Sequence, residues 1–229
     1  MKKILRPTLR VVCILCVAFC SAFLIAQGVR QTTWYKERLY HLLLTGDKEQ
    51  KLRAASVLAE VSAEDQLLRA LKQENATTHE MARRAVEHVW FNAAGRQAYD
   101  LMQAAYRAEE RGEYAPALEV LDQLVARFPH YAEAWNRRAS VLWQMGEFRK
   151  SLTDCQRALR LNPNHYGALQ GKGVCLLKMG EVSEACQALR AALKISPHDK
   201  TTRDSLKKCE ELLRTYPPPD KSARHTDLI

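Results

Sequence analysis

What this chain lacks most is alternation. Hardly any segment of its 229 residues switches between apolar and polar with period two, and a chain without that pattern has few half-buried strands. Glycine and proline are scarce, at nine and eight residues, which excludes a collagen-like or low-complexity chain. No two histidines stand four apart. The body cysteines, Cys155, Cys175, Cys186 and Cys209, show no C-x-x-C spacing. No structural metal is therefore expected. No Ser/His/Asp or Cys/His arrangement stands out, and Glu109–Glu110 and Glu210–Glu211 read as solvated helical faces. The expectation is no catalytic residue, no cofactor and no metal: not an enzyme.

The net charge of +9 raises the question of nucleic acid, and its distribution answers it. Residues 1–30 carry five basic residues and no acid, residues 31–97 ten against nine, residues 98–199 thirteen against twelve, and residues 200–229 seven against five. A groove that follows phosphates needs Lys and Arg clustered on one face. Here the body is balanced, as on a solvated helical surface, and no nucleic-acid partner is expected.

The basic leader "MKKILRPTLR" runs into sixteen uncharged residues, Val11 to Ala26, and nineteen if carried to Val29. This reads as a signal peptide or N-terminal membrane anchor over residues 1–30, contacting the membrane through 11–29. The leader would stay in the cytoplasm and the body outside it. The chain is then exported or inner-membrane anchored, and periplasmic in a Gram-negative bacterium. Cys20-Ser21-Ala22 offers small residues for cleavage, so removal and retention both stay open.

Against that sparse background the glycines and prolines keep a ruler. Gly112, Gly146 and Gly180 are 34 apart, each followed by glutamate and a bulky residue. Pro129, Pro163 and Pro197 are 34 apart as well. Small residues (Ala105, Ala139, Gly173; Ala117, Ser151, Ala185) and large ones (Leu101, Trp135, Leu169) hold the same register. Glycine ends a helix where positive φ is needed, and proline stops the next. Small columns let two helices approach, and large ones fill between them. The pattern resembles the tetratricopeptide repeat, a 34-residue helix–turn–helix unit, over three units at 98–131, 132–165 and 166–199. The resemblance implies an all-α, right-handed α-solenoid of antiparallel helix pairs with a concave face that binds protein.

Residues 200–216 read as an amphipathic capping helix and 217–229 as a disordered tail. Residues 31–97 are helical. Ala54 and Leu58 align with Ala85 and Val89 at an offset of 31, which suggests a HEAT-like pair no more strongly than plain helix packing. Ser62, with Asp65 three residues on, is the expected N-cap of one helix, and Thr77 or Thr78 that of the next. The segment should stack on the first repeat and extend the rod.

"HYGALQGKGV" (165–174) has the glycines and lysine of a phosphate loop. Its first gap is one residue short, Gly173 replaces the metal-binding hydroxyl, and no strand precedes it. Gly173 also sits in the small column of the repeat. By the resemblance, the first helix of each pair lines the groove. That names Tyr99, Met102 and Tyr106, then Asn136, Arg137, Ser140 and Trp143, then Gly167, Gln170, Gly171, Val174 and Leu177, with Gln103, Glu109 and Glu133 beside them. One subclass grips carboxylate tails with basic and amide residues. Its columns here hold Met102, Tyr106, Arg137, Gly167 and Gly171, so that clamp is not implied. Gly167 and Gly171 leave a bare floor. The four body cysteines are either small buried apolar residues or, in an oxidising compartment, the disulfides Cys155–Cys175 and Cys186–Cys209. The function expected is a scaffold at the cell envelope for a protein or peptide partner. The alternative is an accessory subunit of a membrane-associated enzyme or assembly complex.

Overall fold

A computed structural model describes Phe19 and residues 27–215. Most of the apolar leader and all of 217–229 lie outside the described residues, as do the anchor, cleavage and tail expectations that fall on them. No helix among the described residues is long and apolar enough to cross a membrane.

From Thr33 onward eleven helices follow one another: α1 Thr33–Thr45, α2 Lys48–Glu60, α3 Glu64–Ala70, α4 Ala76–Asn92, α5 Gly95–Glu110, α6 Tyr114–Arg127, α7 Ala132–Gln144, α8 Phe148–Leu161, α9 Tyr166–Lys178, α10 Val182–Ile195 and α11 Lys200–Thr215. There is no strand among the described residues. Three antiparallel pairs, α5/α6, α7/α8 and α9/α10, stack in sequence, and α11 covers the open end against α10. The chain is a helical solenoid.

The glycine column works as its spacing requires. Gly112, Gly146 and Gly180 take φ of +74°, +81° and +82°. After each, the next N–H reaches back to the helix: Glu113 to Ala108 O, Glu147 to Leu142 O and Glu181 to Leu176 O, all at 2.9 Å. These bonds satisfy carbonyls that a helix end leaves unpaired. At Gly173 the need is space instead. A Cβ there would lie 2.6 Å from Leu189 Cγ, so only glycine lets α9 meet α10 at that height.

Two helix starts differ from expectation. Ser62 does not cap α3. It takes φ +50° as the residue that ends α2, with its N–H on Ala59 O at 3.0 Å and that of Ala63 on Leu58 O at 2.8 Å. The left-handed turn fully uses Ser62, and the N-cap of α3 is Ala63, which has no side-chain cap bond to give. Helix α4 is capped by Asn75, whose side chain accepts from Thr78 N. Thr78 is buried, and its hydroxyl accepts from Lys51 Nζ at 2.8 Å.

Helices α1–α4 build their own core around Leu43, Leu58, Leu67, Leu71 and Val86. This bundle does not simply extend the rod. Helix α4 runs along the turns between repeats and touches each in succession. Near its start, His79 Nε2 is 3.2 Å from Ser196 Oγ and its ring meets His198 edge-on. Further along, the Tyr166 hydroxyl donates to Glu87 at 2.9 Å, and Trp90 stacks on His165 with centroids 4.3 Å apart. At the far end the Tyr131 hydroxyl donates to Phe91 O at 2.6 Å. From His79 to Phe91 a helix rises about 18 Å, enough to cross three stacked turns. Trp90 is the reason for the seat: it is nearly buried, and its indole N–H is satisfied by Glu64 at 2.8 Å. Its ring packs against His165 and Tyr166.

All four body cysteines are free thiols and buried. Cys155 and Cys175 face each other across α8 and α9, and Cys186 and Cys209 across α10 and α11.

Candidate partner-binding groove

The first helices of the pairs, α5, α7 and α9, put two clefts on the inner face. The larger, of about 600 Å³, lies between these helices and α4. Tyr99, Gln103, Tyr106, Asn136, Arg137 and Gly167 line it from the repeats. Glu87, Trp90, Phe91 and Tyr166 close it from the α4 side. The smaller, of about 370 Å³, lies further along between α7 and α9. It gathers Asn136, Ser140, Trp143, Gly167, Gln170, Gly171 and Val174, with Cys155 at its base and Thr201 of α11 at its end.

Ten of the twelve residues expected in the groove therefore do line a cleft. Met102 does not. It is fully buried with Ala98 and Ala105 against Leu121 and Leu124. Residues three and four apart share a helix face, so Ala98, Met102 and Ala105 form the core stripe of α5. Tyr99, Gln103 and Tyr106 form the next stripe, one residue round and facing the cleft. Leu177 also turns away, onto the cluster of Leu176, Cys186, Leu189 and Cys209. The residues the repeat ruler could not supply are those of α4, which lies outside the 34-residue period.

The larger cleft carries a half-buried charge network. His165 Nδ1 accepts from Ala168 N, so its proton sits on Nε2, which donates to Glu133 at 2.8 Å. Arg137 reaches Glu133 at 3.5 Å and Glu109 at 3.9 Å. Its guanidinium lies 4.4 Å from the Tyr106 ring centroid, within cation–π range. Burial pushes the Glu133 carboxyl up, but the hydrogen bond from His165 and the charge of Arg137 outweigh it, and the net shift is downward. Glu109 has weaker partners, and burial leaves its carboxyl raised. In the smaller cleft the Trp143 indole N–H is buried without a hydrogen-bond partner among the described residues. Gly171 is not an empty floor: a Cβ there would come within 2.9 Å of Cys155 Sγ. At Gly167 a Cβ would make only ordinary contacts, the nearest 3.5 Å away.

Helix pairs closed by a left-handed glycine, stacked at a 34-residue period with a concave cleft, define a helical-repeat interaction module. Tetratricopeptide-repeat family profiles match residues 102–144, 132–165 and 155–187. The protein carries tandem tetratricopeptide repeats. It is similar to a TPR repeat-containing protein of Rhizobium etli, 38% identical over 113 residues, covering 49% of this chain and 55% of the relative. It is also similar to the Hsp70-Hsp90 organizing protein of Triticum aestivum, 24% identical over 99 residues, which is 43% of this chain and 17% of the relative. The chain thus spans about half the length of the first relative and under a fifth of the second. Among solved structures, the first tetratricopeptide-repeat domain of Spaghetti (RPAP3) bound to an HSP90 peptide is 20% identical. It covers 51% of this chain and 93% of that one, with a TM-score of 0.50. The Sgt2 domain of Aspergillus fumigatus is 18% identical, covering 54% and 87%, with a TM-score of 0.50. At these identities the structural likeness shows the fold.

Proposed function

We propose that this protein is a non-enzymatic scaffold that holds a segment of a partner polypeptide in the concave groove, at the cell envelope. The observation that carries the reading is the orphaned Trp143 indole N–H in the smaller cleft. A buried donor without an acceptor is costly, and a peptide carbonyl lying along Ser140 and Gln170 would satisfy it. Aromatic residues in partly desolvated pockets are also the usual anchors of interfaces. The leader at 1–30 supports the location.

The Spaghetti domain holds an HSP90 peptide of sequence SRMEEVD, but this groove disfavours so acidic a tail. Arg137 is the one cation in the clamp columns, and Glu133 and Glu109 already engage it. Gly167 and Gly171 bring no side chain. The expected ligand is a neutral or basic segment with an exposed backbone carbonyl.

A photo-crosslinking residue placed at Gln170 in the full chain, in membranes, should capture a partner that the same residue at exposed Gln156 does not. Trp143→Phe keeps the ring and removes the donor, and should weaken that capture about tenfold. Equal capture from both positions, or an unchanged yield with Trp143→Phe, would sink the groove reading. An alkaline phosphatase fusion at the C-terminus that stays inactive in intact cells would sink the location.

A further inference from the structure

We propose that Cys155 and Cys175 are a redox-active dithiol at the base of the groove, which closes to a disulfide joining α8 to α9 by exchange with a small disulfide. Two contacts place the two sulfurs near each other. Cys175 Sγ donates to Ser151 Oγ at 3.2 Å, and Ser151 sits one turn before Cys155 on α8. Gly171, one turn before Cys175 on α9, comes so near that its missing Cβ would touch Cys155 Sγ at 2.9 Å. A disulfide needs Cα atoms within about 7 Å, and α8 and α9 pack directly on each other with Gly171 against Cys155. Cys155 is buried at the base of the smaller cleft, so of the two sulfurs it is the one to which the groove leads.

The second pair is a built-in comparison. Cys209 Sγ donates to Val182 O at 3.3 Å. It lies with Cys186 among Leu176, Leu189 and Leu206, away from both clefts. Burial pushes the Cys209 thiol up to about 12, which suppresses the thiolate. In the first pair the hydrogen bond from Cys155 holds Cys175 down, to about 7, while the same interaction raises Cys155.

The exchange balances without further reagents. Cys155 gives up its proton to solvent and attacks one sulfur of oxidised glutathione. That S–S bond breaks and one glutathione thiolate leaves. Cys175 then loses its proton and attacks the Cys155 sulfur, expelling the second glutathione. Two protein thiols and one small disulfide become one protein disulfide and two small thiols.

The test is exposure of the full chain, in detergent, to oxidised glutathione, followed by alkylation and a non-reducing peptide map. The map separates these sulfurs from Cys13, Cys16 and Cys20. The expected result is a peptide pair joined through Cys155 and Cys175, formed while Cys186 and Cys209 are still alkylated. In Cys175→Ser, glutathione should remain on Cys155, because the sulfur that expels it is gone. Four alkylated thiols after full exposure, or linkage of Cys186 to Cys209 first, would overturn the proposal. So would a Cys175→Ser chain that gains no glutathione at Cys155.

Discussion

The N-terminal bundle and the repeats are both stacks of short helices, yet they fix their helix ends by opposite means. In the bundle, side chains start three of the four helices. Thr32 and Asn75 cap α1 and α4, and Asp47 with Gln50 forms a reciprocal capping box on α2. In the repeats the backbone ends them, at Gly112, Gly146 and Gly180, while α6, α7, α8 and α10 start without a side-chain cap bond. A cap can be any of several polar residues. A left-handed turn strongly prefers glycine. The repeats therefore write their period into the sequence, and the bundle does not.

The same contrast governs where each region is fragile, and substitutions can break it. The largest effect is expected at the seam. Trp90→Ala removes the ring stacked on His165 and Tyr166 and the donor to Glu64. A buried tryptophan truncation costs about 3–5 kcal/mol. Urea unfolding should show this loss, and α4 should gain amide exchange while α9 and α10 keep theirs. Loss spread evenly over both regions would mean that bundle and repeats are one cooperative unit.

Next come two glycines that fail for different reasons. Gly173→Ala drives a methyl toward Leu189 and should cost about 1–3 kcal/mol by overpacking. Gly146→Ala meets nothing within 4 Å, so only its left-handed φ is penalised, at about 1–2 kcal/mol. The Leu189→Ala background should rescue Gly173→Ala and leave Gly146→Ala unchanged, as read by melting midpoints.

A smaller effect sits at the His79 clasp. Burial lowers the His79 pKa first, and the neighbouring His198 and Arg83 add to it against Glu80 and Asp199. A histidine with a folded pKa below its unfolded value of about 6.5 binds fewer protons when folded. The seam is then strongest above that pH and weakens as pH falls through it toward the folded value. Amide exchange in α4 should rise on acidification, and His79→Gln should flatten that dependence. A seam that tightens in acid would show the sign to be wrong.

The smallest effect is expected at the exposed pair Arg96–Asp100. Arg96→Ala should change stability by less than about 0.5 kcal/mol, and a larger loss would mean that the start of α5 matters more to the seam than its exposure implies.

How much was legible follows from the same physics. The three glycine turns, the tight approach at Gly173 and the helix neighbours of the four cysteines could be read from a single ruler. Ten groove residues followed from the column that faces inward. Met102 was misplaced because the core and groove stripes of α5 lie one residue apart, about 100° on a helix. Only contact with α6 shows which stripe is covered. The caps at Ser62 and Asn75 went astray because serine, threonine and asparagine serve either end of a helix, and the competing turn decides.

By itself the sequence determined the all-helical class, the 34-residue period and the tetratricopeptide repeats, because a backbone needing positive φ or a missing Cβ leaves few residue choices. The tertiary structure alone decided that α4 crosses the three turns rather than lengthening the rod, and that Arg137 is occupied by Glu133 and Glu109. It alone showed Gly171 resting on Cys155. Each of these joins side chains from different helices, and no local period records which partner a Trp90 or a buried thiol will meet.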